Sequence, residues 1–93
     1  MNRIMMAKGG TPALHLLGDI GRDVDDYIRV HDEDEEFYIG NFEEGLGFID
    51  VKYKKSDVRS LTKEEVDDLN GKWYTINGHP MSQIYVDDEG NLV

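Results

Sequence analysis

Residues 27–53, YIRVHDEDEEFYIGNFEEGLGFIDVKY, decide the fold. Tyr27–Val30 is short and β-prone. Phe37–Phe42 follows after five consecutive carboxylates, and Glu43–Gly47 supplies a glycine-bearing turn. Phe48–Tyr53 then alternates, with Ile49, Val51 and Tyr53 on one face and Asp50 and Lys52 on the other, a register that Lys54 continues. This pattern predicts an antiparallel meander of three strands.

Downstream, Thr62 and Glu65 stand at capping-box spacing, and Leu61 and Val66 occupy hydrophobic-staple positions. Val66 and Leu69 share a helical face, and Gly71 is placed to cap the end. A two-turn helix at about 62–70 follows. Lys72–Ile76 and Gln83–Val86 then read as strands around Asn77-Gly78, a strong hairpin turn signal. Pro80 is expected to delay the second strand, and alternation puts Trp73 or Tyr74 in the core, with Trp73 the default.

Residues 1–10, MNRIMMAKGG, read as a flexible lead-in because of the glycine pair and the early methionines, which leaves 11–93 as one acidic domain. Thr11-Pro12 has the form of a helix start. Leu14, Leu17, Ile20, Val24 and Ile28 recur at three- and four-residue steps, so an N-terminal helix is expected. Gly18 and Gly21 oppose it at about 1 kcal/mol each, so a short helix giving way to a turn fits as well. The fold class expected is α+β: a small antiparallel sheet of about four or five strands, a meander plus a C-terminal hairpin, with one short helix and a second at the N-terminus.

Ninety-three residues with 39% apolar content fit one modest core. With no cysteine there is no disulfide framework, thiolate or cysteine-based zinc site, and a reducing cytoplasm is the expected location. The N-terminal apolar stretches are too short for a signal peptide or a membrane span.

Charge is the most informative feature. The formal net charge is −10, and residues 19–50 carry twelve acids against two arginines, while the rest of the chain holds eight of each. The whole excess therefore sits in one block. A nucleic-acid or anionic-membrane binder needs the opposite sign, so direct nucleic-acid and membrane partners are not expected.

Chemistry finds little footing. An EF-hand loop begun at Asp32 would place Phe37 where the turn glycine belongs. His15, His31 and His79 lack ligand spacing, and the serines lack a nucleophile elbow. No phosphate loop is present. The chain is expected not to be an enzyme and to need no metal or cofactor. The bases at Lys52, Lys54, Lys55, Arg59 and Lys63 are expected to balance the acids across the sheet, Lys52 or Lys54 pairing with Glu43 or Glu44.

What remains is a recognition surface of Asp23, Asp25, Asp26, Asp32, Glu33, Asp34, Glu35, Glu36, Glu43, Glu44 and Asp50. Tyr38, with Tyr27, Phe37 and Phe42, would add apolar contact. In extended form the run Asp32–Glu36 spaces its charges by about 3.4 Å, close to the phosphate spacing along one DNA strand. Compact, acidic, cysteine-free chains of this length are typical, by class-level analogy, of phage or mobile-element inhibitors. The expected function is therefore inhibition of a basic, nucleic-acid-handling protein (a nuclease, CRISPR effector, restriction enzyme or glycosylase) by imitation of nucleic acid. A monomer or small homo-oligomer would suit it. The alternative is a structural or assembly module that self-associates through a sheet edge.

Overall fold

The computed structural model describes residues 2–16, 18–42, 50–76 and 79–93, with Phe42, Tyr74, Thr75, Ile76 and Met81 described by backbone alone. The expected turns at Glu43–Gly47 and Asn77-Gly78, and Phe48 and Ile49, lie outside the described residues.

Among the described residues the chain forms a mostly antiparallel sheet with one short helix. The strands are β1 (Arg3–Ala7), β2 (Ala13–His15), β3 (Gly18–Asp19), β4 (Asp26–Glu33), β5 (Phe37–Phe42), β6 (Val51–Lys54), β7 (Val58–Arg59), β8 (Trp73–Ile76) and β9 (His79–Gln83). The helix α1 (Lys63–Leu69) stands between β7 and β8, and a single 3-10 turn, Lys55–Asp57, joins β6 to β7. Seven strands form one sheet in the order β3-β2-β6-β5-β4-β1-β7, and β8 and β9 form a separate hairpin. The expected meander is β4-β5-β6, but the strands outnumber the four or five expected.

Three expectations are corrected. The lead-in is instead β1, paired to β4 from Arg3↔Val30 to Ala7↔Asp26 and to β7 at Met6↔Arg59 and Ala7↔Val58. Ile4, Met5, Met6 and Ala7 are all buried, because both faces of this strand are covered. The N-terminal helix is instead the hairpin β2-β3 with its connection to β4. Val24 is exposed while Ile28 is fully buried, so the three- and four-residue recurrence joins residues of β2, of β4 and of the connection between them. The last hairpin closes earlier than expected: Pro80 lies inside β9, opposite Thr75, next to a register shift. Both strands of a two-stranded sheet are edges, where proline's missing N–H is tolerated.

Two clusters build the core. Met5, Ala7, Ala13, Ile28, Val30, Val51 and Tyr53 meet on the inner face, so the sheet must curl to bring β1, β2, β4 and β6 together. On the other side of β1, Ile4 and Met6 pack against Leu61, Val66, Leu69, Ile84 and Val86. The C-terminal segment is tied to β1 by Ile4 N–H donating to the Gly90 carbonyl at 2.8 Å and by the Arg3↔Asn91 bridge. Helix and C-terminal segment cover the outer side of β1; the outer side of β2 and β6 keeps Leu14, Lys52 and Lys54 exposed.

Helix α1 forms for the local reasons read from the sequence. The Glu65 N–H donates to Thr62 Oγ1, and the Thr62 N–H donates to Glu65 Oε1 at 2.8 Å. Gly71 follows the C-cap with φ of +86°, which glycine adopts without penalty. Arg59 clamps the Glu65 carboxylate through both terminal nitrogens, at 2.6 and 2.9 Å. Those bonds to Arg59, then the Thr62 amide, hold the Glu65 carboxyl down at about 2, against the opposing effect of its own burial. A carboxyl depressed in the folded state stabilises fully above its unfolded value of 4.5, and the contribution is lost as pH falls toward 2. With allowance for solvent screening around half-exposed Arg59, Glu65→Gln is expected to be about 1 kcal/mol less stable than wild type at neutral pH. Urea denaturation across an acid pH series should show that gap closing between pH 4.5 and about 2.

Candidate functional site: an acidic hairpin tip and the sheet face beside it

The five-carboxylate run ends β4 and turns the chain into β5. Asp34 makes the turn: its Oδ1 accepts the Glu36 and Phe37 N–H groups at 2.9 and 2.8 Å, and its own N–H donates to the Phe37 carbonyl at 3.0 Å. The Phe37 and Glu36 amides hold its carboxyl below the usual carboxylate range, with smaller help from Lys52 and Lys55. An aspartate closing a turn on its own backbone is a common local solution. Asp32 Oδ1 accepts the Glu33 N–H at 2.8 Å. The run therefore folds back on itself at Asp34, and the extended form that would space its charges evenly is kept only by Asp32 and Glu33 at the end of β4.

Bases meet the tip from β6 and the 3-10 turn. Lys55 Nζ lies 2.6 Å from Glu33 Oε2, and that bond raises the lysine above its ordinary value. Lys52 Nζ reaches to 4.0 Å from Asp34 Oδ2. The balancing of acids by these lysines is thus present, with Asp34 and Glu33 as partners; Glu43 and Glu44 lie outside the described residues. Asp32, Glu35 and Glu36 are exposed and carry no ion pair among the described residues, so the tip keeps uncompensated charge, with Glu35 and Glu36 at its end.

The remaining acids are dispersed. Asp23, Asp25 and Asp26 sit at the opposite end of β4, roughly 20 Å away for an eight-residue strand. Asp25 accepts the Gly9 N–H at 2.7 Å, and Asp26 pairs with Arg22 at 3.1 Å. Asp50 lies just before β6 and meets His31 Nε2 at 2.9 Å. The described acids of residues 23–26 and the tip therefore lie at opposite ends of β4, and the meander does not bring them together.

The aromatics are also redistributed. Tyr38 packs against the inner cluster with Lys55 Nζ 5.1 Å from its ring centre, so it supports the tip from inside. Tyr27 donates its hydroxyl to Asp68 at 3.1 Å and packs against the outer cluster. Phe37 lies half-buried under Lys52, at 5.7 Å. Trp73, expected in the core, is 54% exposed. It stands opposite Gln83, whose side chain accepts the Tyr85 hydroxyl at 3.3 Å.

Sequence reading missed an apolar groove beside the tip. Leu14, Leu16 and Ile39 line it with His15, Asp50, Val51 and Lys52. The spacing of Leu14 and Leu16 by two was the available signal, hidden by the helical reading of the same residues. Lys52 also lines a second cleft, formed with Asp34, Glu35, Glu36 and Phe37.

Among the described residues no group of three or more His, Asp or Glu is placed to hold a metal ion, and no helix is long and apolar enough to cross a membrane. No known protein family, curated protein or solved structure matches the chain.

Proposed function

We propose that this chain is a small, non-catalytic acidic binding protein that inhibits a basic, nucleic-acid-handling protein by inserting the β4-β5 hairpin into its basic cleft. The observation that carries the reading is the pair Glu35 and Glu36, exposed and uncompensated on a turn that Asp34 fixes through two backbone amides. A fixed tip loses little conformational freedom on binding, and its charge would speed encounter with an arginine- or lysine-lined cleft. The reading is narrower than nucleic-acid imitation along a rod: a local anion on a hairpin takes the place of one or two phosphates. Phage or mobile-element origin, and nucleases, CRISPR effectors, restriction enzymes or glycosylases as targets, belong to the same proposal and rest on its size and charge.

The test is capture from a host lysate at low and high salt, with captured proteins identified and the complex then measured with purified target. Glu35→Lys with Glu36→Lys is expected to weaken binding by at least about tenfold, and raised salt should weaken the wild type. Asp23→Lys with Asp25→Lys should change it far less. Binding that ignores both salt and the tip reversals would overturn the proposal.

A second reading, self-association, is favoured by one observation: exposed Trp73 and Tyr85 border a two-stranded hairpin whose strands are both edges. Light scattering separates the two, since a stable oligomer supports assembly and a monomer supports inhibition.

A further inference from the structure

The acidic tip does not stand alone on its side of the sheet. Register places Leu14, Lys52, Ile39 and Asp32 in one row across β2, β6, β5 and β4, through the pairs Leu14↔Lys52, Ile39↔Lys52 and Asp32↔Ile39. Leu14, Lys52 and Ile39 point outward, because their chain neighbours Ala13, Val51, Tyr53 and Tyr38 point into the inner cluster, and Asp32 shares their face through its pairing with Ile39. Lys52 would cover the apolar pair if it lay across the row. Instead its ammonium leans along β6 toward Asp34 and over the Phe37 ring. Leu14 is left 42% exposed and Leu16 98% exposed, with Ile39 half-buried between them and the tip.

We propose that this outer face docks an extended, basic segment of a partner protein. An apolar side chain of the segment fills the groove of Leu14, Leu16 and Ile39, and its lysines or arginines lie over Glu35 and Glu36. This deepens the inhibitor reading and rests on it. Charge complementarity selects the occupant. The groove is lined by Asp50, which stays largely exposed beside its partner His31, and it shares Lys52 with the cleft of Asp34, Glu35 and Glu36, while that one lysine is already turned onto Asp34. A second copy of a chain with net charge −10 would meet like charge at the same place. The spacing suits extended backbone: Ile39 and Glu36 are three residues apart on the same hairpin, about 10 Å, which a partner strand spans in three residues.

The test uses three fluorescein-labelled peptides of equal length: one with three lysines followed by glycine-spaced leucines, one with those leucines replaced by serine, and one with the lysines replaced by glutamate. The leucine-lysine peptide is expected to bind the full chain at least about tenfold more tightly than the serine version, and the glutamate version should not bind. Leu16→Asp should abolish the leucine preference with no change in melting temperature, since that side chain contacts little in the free protein. Glu35→Lys with Glu36→Lys should weaken both lysine peptides.

If leucine and serine peptides bind alike and only the tip reversals matter, this inference is overturned while the acidic-tip reading stands. If Leu16→Asp matters and the tip reversals do not, both fall. No peptide binding, or sedimentation showing a wild-type dimer that Leu16→Asp dissociates, would also overturn the inference, the latter by making a second copy the occupant.

Discussion

Gly40→Ala is expected to destabilise the protein by about 3 kcal/mol or more, a large part of the stability of a small domain. Gly40 is buried on the inner face of β5 opposite Val30. A β-carbon there would stand 2.8 Å from the Arg29 carbonyl carbon and 3.0 Å from Val30 Cα, and closer still to the Arg29 carbonyl oxygen. All three are backbone atoms, so no side-chain rotation relieves the clash, and β4 and β5 must separate. The separation falls beside the register shift between Val30 and Asp32, where β4 bends into the acidic tip. The substitution should therefore lower the urea midpoint and also weaken partner binding under conditions where the protein remains folded. An unchanged midpoint would mean that the sheet gives way without cost at this pair. A lowered midpoint with unchanged binding would mean that the tip does not depend on the packing beneath it.

The parts of the fold legible in the sequence are those whose cause is local. Helix α1 announced itself through Thr62, Glu65 and Gly71: the first two form the expected capping box, while Gly71 follows the Asn70 C-cap at positive φ and donates its N–H to the Ile84 carbonyl rather than back to the helix. Strand β5 occupies the expected Phe37–Phe42, and Val51 and Tyr53 alternate with Lys52 and Lys54 as one covered face requires. Strand β1 was hidden because it is covered on both faces: Ile4 and Met6 serve one cluster, Met5 and Ala7 the other. A short strand buried on both faces has no alternation to show. Leu14 of β2 and Ile28 of β4 imitated a helix only because Ile20, just past β3, and Val24, in the connection to β4, happen to fall between them at helical steps.

The candidate site divides along the same line. The acidic run was visible as composition, and its position at a hairpin was expected. Which of its carboxylates are spent within the molecule was not, since that depends on Lys52 and Lys55 arriving from residues far along the chain. The separation of Asp23, Asp25 and Asp26 from the tip needed the length of β4. The groove needed the pairing of β2 with β6, a contact between residues about forty apart in sequence that no local pattern encodes.

Leu69→Ala is expected to cost about 2–5 kcal/mol, because Leu69 is fully buried and nothing nearby can fill a leucine-sized space without moving the helix. The melting temperature should fall by well over about 10 °C for a domain of this size. The form of the transition carries more information than its midpoint. Leu69 packs with Ile4 and Met6 on the outer side of β1, while Met5 and Ala7 of that same strand belong to the inner cluster. A strand that supplies both clusters makes them one cooperative unit: loosening the helix removes the support of β1, and β1 is the partner of both β4 and β7. Leu69→Ala should therefore lower the urea midpoint with an unchanged slope and one transition seen alike by far-ultraviolet circular dichroism and by Trp73 fluorescence. Two separated transitions would show instead that helix and C-terminal segment melt independently of the curled sheet. The substitution lies on the side of β1 away from the acidic tip, so the folded fraction should keep full partner affinity, while its loss would show that the tip is held in place through β1.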